Sequence, residues 1–205
     1  MRNLLAVLAT CLGLAACSND PATTAVAAEC AIGSPVLPVE LAVLEDFELR
    51  VTPALGGERI KNTKASEMLG ETHYHLIDKS TRVEQRCVEG DWTYVAITAP
   101  DHLTFVRGWA PSATLRAPGR SEAGARVYRV DEIPWFDDTE PYKAELVTAL
   151  NKVLPATSGC EQVDLGTLAR SSSRGTAMDP VFFIACGSGA GIFNVFFDRN
   201  GNVRP

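Results

Sequence analysis

Apolar positions along the chain change period several times, and each change marks a structural boundary. Leu4 to Ala16 is apolar except for Thr10. Between residues 46 and 117 the pattern breaks into short runs: Phe47 to Val51, His73 to Asp78, Thr81 to Val88, Trp92 to Thr98 and Thr104 to Trp109. They are rich in β-branched and aromatic residues and are separated by turn signals such as Glu89-Gly90-Asp91 and Pro100-Asp101, which predicts strands. From Tyr142 the period lengthens. Tyr142, Leu146, Ala149, Leu150, Val153 and Leu154 recur every three or four residues and form one apolar stripe on a helix over 140–154. Asp137, Asp138 or Thr139 offers its N-cap, Pro141 suits its first turn, and Pro155 with Gly159 ends it. Strands are predicted next at Glu161 to Ala169, Pro180 to Cys186 and Ile192 to Asp198. The last two are apolar on both faces, whereas a half-exposed antiparallel sheet alternates. One helix covers one face. The other must meet the first unit, a partner or a second copy.

The N-terminal apolar run is too short to span a bilayer and follows the cationic Met1-Arg2-Asn3, the pattern of an export signal. It ends in Leu14-Ala15-Ala16-Cys17, which resembles the lipobox of bacterial lipoproteins. That resemblance implies a signal peptide over residues 1–16, cleavage before Cys17, and acyl chains such as palmitate on the Cys17 thiol and amine. Several chains on one residue exceed the two-signal requirement for stable anchoring. Residues 17–45 are then the lipidated N-terminus and tether, with the small polar stretch 18–29 unstructured. Ser18, rather than an aspartate, follows the cysteine, which in that family favours the outer membrane. The expected location is the periplasmic face of a bacterial membrane, reached through the lipid anchor only.

Export fixes the reading of the cysteines. Cys11 leaves with the signal and Cys17 carries lipid, so Cys30, Cys87, Cys160 and Cys186 remain for two disulfides in an oxidising compartment. A hairpin centred on Ser173 would set Cys160 directly opposite Cys186, within reach of a cross-strand bond. Cys30 with Cys87 follows by elimination and would staple the end of the tether to the first unit.

Within 46–117, Gly90-Asp91-Trp92-Thr93-Tyr94-Val95, then Gly108-Trp109-Ala110 and Leu115, resemble the bacterial Src-homology-3-like (SH3-like) domain. Upstream, Leu49-Arg50-Val51-Thr52-Pro53 is similar to that family's first-strand motif. It lacks the preceding asparagine and the glycine before the proline, and the segment Ala54 to Thr72 would enlarge the first loop. The resemblance implies a small non-catalytic β-barrel that binds cell-wall peptides or neighbouring protein segments. The fold class expected is mainly β with α+β: this barrel, a linker over 118–126, and a disulfide-bonded helix-plus-antiparallel-sheet domain over 127–205. No family is recognised for the last.

A net charge of -6 and a sequence pI near 5.1 exclude nucleic acid as partner, since it demands a basic surface. Candidate chemistry is thin. His73 and His75 would share a strand face, a two-ligand start for zinc that Asp78, Glu71 or His102 would have to complete. No G-x-S-x-G elbow stands beside a histidine. Gly187 to Gly191 joins two strands and lacks the lysine of a phosphate-binding loop, so it reads as a hairpin turn. Asp198 to Asn202 begins like a calcium loop, but Asn200-Gly201 reads better as a type I′ turn. The acidic cluster from Asp131 to Glu140 reads as capping and solvation. The expected function is therefore non-catalytic binding of a cell-wall peptide or envelope protein, with no cofactor and no metal. Trp92 and Tyr94, two residues apart on one strand face, are the binding pair. Trp109 is read as a core residue that supports them from below. The alternative is a periplasmic inhibitor or immunity protein that docks on a toxin or wall-degrading enzyme through the apolar sheet after residue 180.

Overall fold

The computed structural model describes residues 30–205. The signal peptide expected over residues 1–16, Cys17 and residues 18–29 lie outside the described residues. No helix among those described is long and apolar enough to cross a membrane. The described residues are β-rich, with several sheets, two α-helices and two disulfides.

The first unit contains β1 (Ser34–Pro35), β2 (Glu40–Val43), β3 (Phe47–Glu48), β4 (Leu76–Ile77), β5 (Arg82–Glu89), β6 (Trp92–Ala99), β7 (Arg107–Pro111) and β8 (Leu115–Arg116). One antiparallel sheet runs β7-β6-β5-β2-β8, with β1 also on β5, and β3 pairs with β4 separately. Period-2 alternation sends Val83, Val95 and Ile97 to one face, where they meet Leu41, Val43, Leu49, Ile77, Val106 and Leu115 in an aliphatic core. The ladder does not close on itself. Beyond β7 only an isolated bridge continues it, with backbone N–H groups of Arg50 and Trp109 donating to each other's carbonyls at 2.9 and 2.8 Å. Gly108 permits that crossing, because a Cβ there would lie 2.5 Å from Ile60 Cδ1 and 2.9 Å from Leu49 Cβ.

Two boundaries differ from expectation. Residues 17–45 are not tether to their end: β2 lies inside the sheet between β5 and β8, and Leu41, Ala42 and Val43 are buried. Its apolar run is short and follows Pro35 and Pro38, so the alternation never became long enough to read. The 118–126 linker folds back as a hairpin of β9 (Gly119–Arg120) and β10 (Arg126–Val127). The enlarged loop 54–72 carries helix α1 (Thr63–Leu69), started by Asn62, whose Oδ1 accepts the Ala65 N–H at 3.0 Å, and ended by Gly70 at φ +76°.

The second unit packs α2 (Lys143–Ala156) on the three-stranded sheet β11 (Val163–Gly175), β12 (Pro180–Cys186) and β13 (Phe193–Asp198). The predicted stripe is its core: Leu146, Ala149, Leu150, Val153 and Leu154 meet Phe182, Ile184, Val195 and Phe197. Pro141 lies in a 3-10 turn, Glu140–Tyr142, that precedes the α-helix. No side chain caps α2. Asp138 Oδ2 instead accepts the Arg170 N–H at 2.7 Å, and Thr139 is tied to the backbone of Phe136. Pro155 sits within the final turn of the helix, where the chain carries on to Ala156.

Both disulfides are present, Cys30–Cys87 and Cys160–Cys186. The second does not arise from the predicted register. Cys186 pairs with Val163, and two bulges shift β11 so that the hairpin turns between Gly175 and Pro180, not at Ser173. Cys160 lies ahead of the strand, in the turn that follows α2, and reaches Cys186 with a Cα–Cα separation of 4.7 Å. The final turn also departs from type I′, which needs positive φ at both central residues. Gly201 alone has it, at +68°, while Asp198 Oδ1 accepts the Asn200 and Asn202 N–H groups.

Arg116 of β8 joins the units. Its guanidinium donates to both oxygens of Asp131 at 2.8 and 2.9 Å and to Glu132 Oε1 at 2.9 Å. Glu132 is buried, and its second oxygen has no hydrogen-bond partner, so Arg116 carries the compensation of that charge. The Asp131 carboxyl is held below its ordinary range by the hydrogen bond from Arg116, which outweighs its partial desolvation. Nearby, Gly166 comes close to Ser80, whose Cβ would sit 3.0 Å from a Cβ at that position.

Candidate functional site

Strand β6 divides its side chains between two environments. Val95 and Ile97 enter the core, and Thr93 is buried with its hydroxyl 2.8 Å from that of Ser112. Trp92 and Tyr94 take the opposite face and are half-buried. Register places Tyr94 between Cys87 on β5 and Trp109 on β7, and Trp92 between Glu89 and Pro111. The Tyr94 and Trp109 rings are 5.3 Å apart at an interplanar angle of 52°. Trp92 meets Phe47 edge-on at 6.0 Å, and the Arg50 guanidinium stands 5.3 Å from the Phe47 centroid. Centroid separations of this size are those of stabilising aromatic pairs.

Trp109 is buried, at 3% exposure, yet it is not part of the aliphatic core. It lies beside Tyr94 as its cross-strand neighbour on β7, on the face opposite the aliphatic core and not within that core. The Cys30–Cys87 disulfide flanks Tyr94 on the neighbouring strand. Sequence reasoning missed Phe47 and Arg50 as members of this cluster. The bridge between Arg50 and Trp109 joins positions distant in sequence, and no local pattern announces it.

Among the described residues of the first unit, every aromatic side chain (Phe47, Tyr74, Trp92, Tyr94, Phe105 and Trp109) falls outside the buried core cluster, with Phe47 packing against its edge. Phe105 is 69% exposed. The Tyr74 ring carries the Arg59 guanidinium at 3.7 Å, and Arg59 also bonds Glu48 at 2.9 Å.

The histidines do not converge. His73 Nε2 lies 3.3 Å from Glu71 Oε1, while the buried His75 ring meets Phe105 at 6.0 Å. Burial pulls the His75 imidazole below its ordinary value. Among the described residues no group of three or more His, Cys, Asp or Glu side chains is arranged to hold a metal ion. On the second unit, Phe183 and Phe196 face each other on the outer side of the sheet, 5.8 Å apart, with Arg174 3.8 Å over Phe196. Ile192 is 60% exposed at that sheet's end.

No protein-family model matches the chain, and neither the curated proteins nor the solved structures contain a match.

Proposed function

We propose that the protein is a lipid-anchored, non-catalytic binding protein of the bacterial envelope, and that its first unit is an SH3-like module presenting Trp92 and Tyr94 to a cell-wall peptide or an envelope protein. The observation that carries this reading is the sorting of rings in the first unit. Its core is built from aliphatic side chains, and its aromatic groups stand on the opposite face or at the periphery. Full burial of a large apolar side chain stabilises a fold by about 1.5–3 kcal/mol, so leaving Trp92 and Tyr94 half-buried forgoes part of that and is useful when another molecule covers them. Rigid rings give contact area with little rotamer entropy to lose. Trp109 packs against Tyr94 from the adjacent strand, and Arg50 adds a cation over the Phe47 ring. Cys17 supplies the anchor, and Cys30–Cys87 fastens the start of the described chain beside the site.

The test is cosedimentation of the unlipidated chain from residue 18 with purified peptidoglycan sacculi, comparing it with the Trp92→Ala/Tyr94→Ala variant. Retention by the original chain and a loss of at least tenfold in the folded variant is the expected result. Equal retention of both removes this face from the account.

The inhibitor or immunity reading rests on a different observation, the Phe183–Phe196 pair with exposed Ile192 on the second unit. It predicts stoichiometric inhibition of a wall-degrading enzyme, abolished by Phe183→Ser and indifferent to the Trp92/Tyr94 substitutions.

A further inference from the structure

A second cleft lies where the two units meet. It measures about 270 Å³ and is walled by Arg82, Asp101 and His102 from the first unit and by Gln162, Asp164 and Ser188 from the second. Ala99, Pro100, Val163 and Ile192 complete it with apolar surface. Arg82 is uncommitted in a way that Arg126 of the neighbouring cavity is not, and Asp164 keeps one carboxylate oxygen clear of its bond to Gly166. In that neighbouring cavity, of about 340 Å³, Arg126 is already paired with Glu40. The Arg82 guanidinium makes no hydrogen bond or ion pair with any described residue, although it sits in the seam close enough to influence Tyr128.

The second wall ends in a glycine-rich turn that carries Ser188. Gly187 and Gly189 both adopt positive φ, +89° and +54°. Ser188 between them is extended, at φ −145° and ψ 158°, so the loop forms no nest of successive N–H groups and its side-chain donor toward the cleft lining is the Ser188 hydroxyl. Gly187 spends its own N–H on Gln162 O, and Gly191 spends its on Ser188 O, which pins the loop at both ends. On the acidic side, Asp164 Oδ1 is used by the Gly166 N–H at 3.0 Å, and Asp101 is exposed. The cleft thus offers a guanidinium and the Ser188 hydroxyl to an anionic group and two carboxylates to a cationic one, with an apolar wall between units.

We infer that this inter-unit cleft binds a small zwitterion, a free amino acid or short peptide end, whose carboxylate is taken by Arg82 and the Ser188 hydroxyl and whose ammonium is taken by Asp101 and Asp164. The volume is at the lower end of small-ligand sites, and a pocket walled by two units is a common place for one. A purely anionic ligand would be repelled by Asp101 and Asp164, and a purely cationic one by Arg82. Only a ligand carrying both charges satisfies all the groups at once. An aliphatic side chain on that ligand would lie on Val163 and Ile192.

This inference is independent of the aromatic face. The test titrates the full chain from residue 18 with L-leucine and glycyl-leucine by calorimetry and by amide NMR shifts, beside N-acetyl-leucine, which lacks the ammonium, and leucinamide, which lacks the carboxylate. The expected result is saturable binding of an unblocked ligand, with shifts at Ser188 and Gly189. Each blocked form should bind at least tenfold more weakly, and so should unblocked ligand to folded Arg82→Gln or Asp164→Asn. Failure of both unblocked ligands to bind overturns the proposal. So does equal binding by N-acetyl-leucine, which would make the cleft an anion site, or unchanged affinity in Arg82→Gln. Binding to sacculi by the Arg82→Gln chain should be unaltered, which separates this site from the one on β6.

Discussion

The two units solve the same burial problem with opposite allocations of their rings. The second unit places Phe182, Phe197 and Tyr128 inside, with Trp135 and Tyr142 against the same core, and leaves Phe136, Phe193 and the Phe183–Phe196 pair outside it. The first fills its interior with valine, leucine and isoleucine and keeps Trp92, Tyr94 and Trp109 on the other side of the sheet. A unit that uses aromatic mass for its core is organised for stability. A unit that keeps aromatic mass outside, braced ring on ring, is organised for contact. The comparison teaches where to look for function: in side chains that a stability argument would have placed elsewhere.

The sharpest way to break that contrast is truncation of a ring on each side. Phe182→Ala should destabilise the second unit by about 3–5 kcal/mol, because Phe182 is fully buried and leaves a cavity. Tyr94→Ala, half-buried, should cost no more than about 1 kcal/mol. Urea unfolding followed by circular dichroism measures both, and equal losses would erase the distinction. Disulfide removal comes next. In the chain-entropy model, losing Cys30–Cys87, 57 residues apart, lowers stability by about 4 kcal/mol, and losing Cys160–Cys186, 26 apart, by about 3.5 kcal/mol. Paired Cys→Ser variants in the same experiment give the two values.

Arg116→Ala sharpens the comparison at the seam. It strands the buried Glu132 carboxylate and should cost about 3 kcal/mol, whereas Arg116→Ala combined with Glu132→Leu should recover much of the loss. Thermal unfolding of the single and double variants decides this. Failure of the double variant to recover would mean that the pair is not what holds the junction.

The smallest effect is that of acid. His75, whose folded pKa is lowered by burial, takes its proton in the unfolded chain first, so stability falls as pH drops below the ordinary histidine value of 6.5. Asp131 and Asp198 add a second decline. Hydrogen bonding from Arg116 depresses the first. Burial of Asp198 opposes ionisation, but the bonds from Asn202 and Asn200 with the nearby Arg204 prevail. Their contribution is present above the ordinary carboxyl value of 3.8 and is lost as pH falls through their lower folded values. Stability measured between pH 7 and 3 should therefore decrease in two phases, and His75→Phe should remove only the upper one.

Legibility in the sequence follows the range of the interactions. The α2 stripe was readable because its residues recur locally at helical spacing, and β6 because Trp92 to Ala99 follows an unambiguous turn at Gly90. The Cys160–Cys186 pair was reached through a register that the bulges of β11 displace, so the bond is right and the geometry behind it was not. Strand β2 was missed because four residues cannot display a period, and its place between β5 and β8 is a tertiary fact. At the site, the common face of Trp92 and Tyr94 was legible from their spacing. Trp109 meets Tyr94 through the register of the consecutive strands β6 and β7, whereas the Arg50 and Phe47 contacts were not legible, since they bring in residues far from β6 in the chain.

The most direct measurement is an NMR titration of the chain from residue 18 with a soluble cell-wall peptide released from sacculi, following tryptophan indole and backbone amide signals. The account predicts shifts concentrated at Trp92, Tyr94 and their neighbours Phe47 and Arg50, and absent from Phe183 and Phe196. Shifts confined to the second unit, or none at saturating peptide, would contradict it.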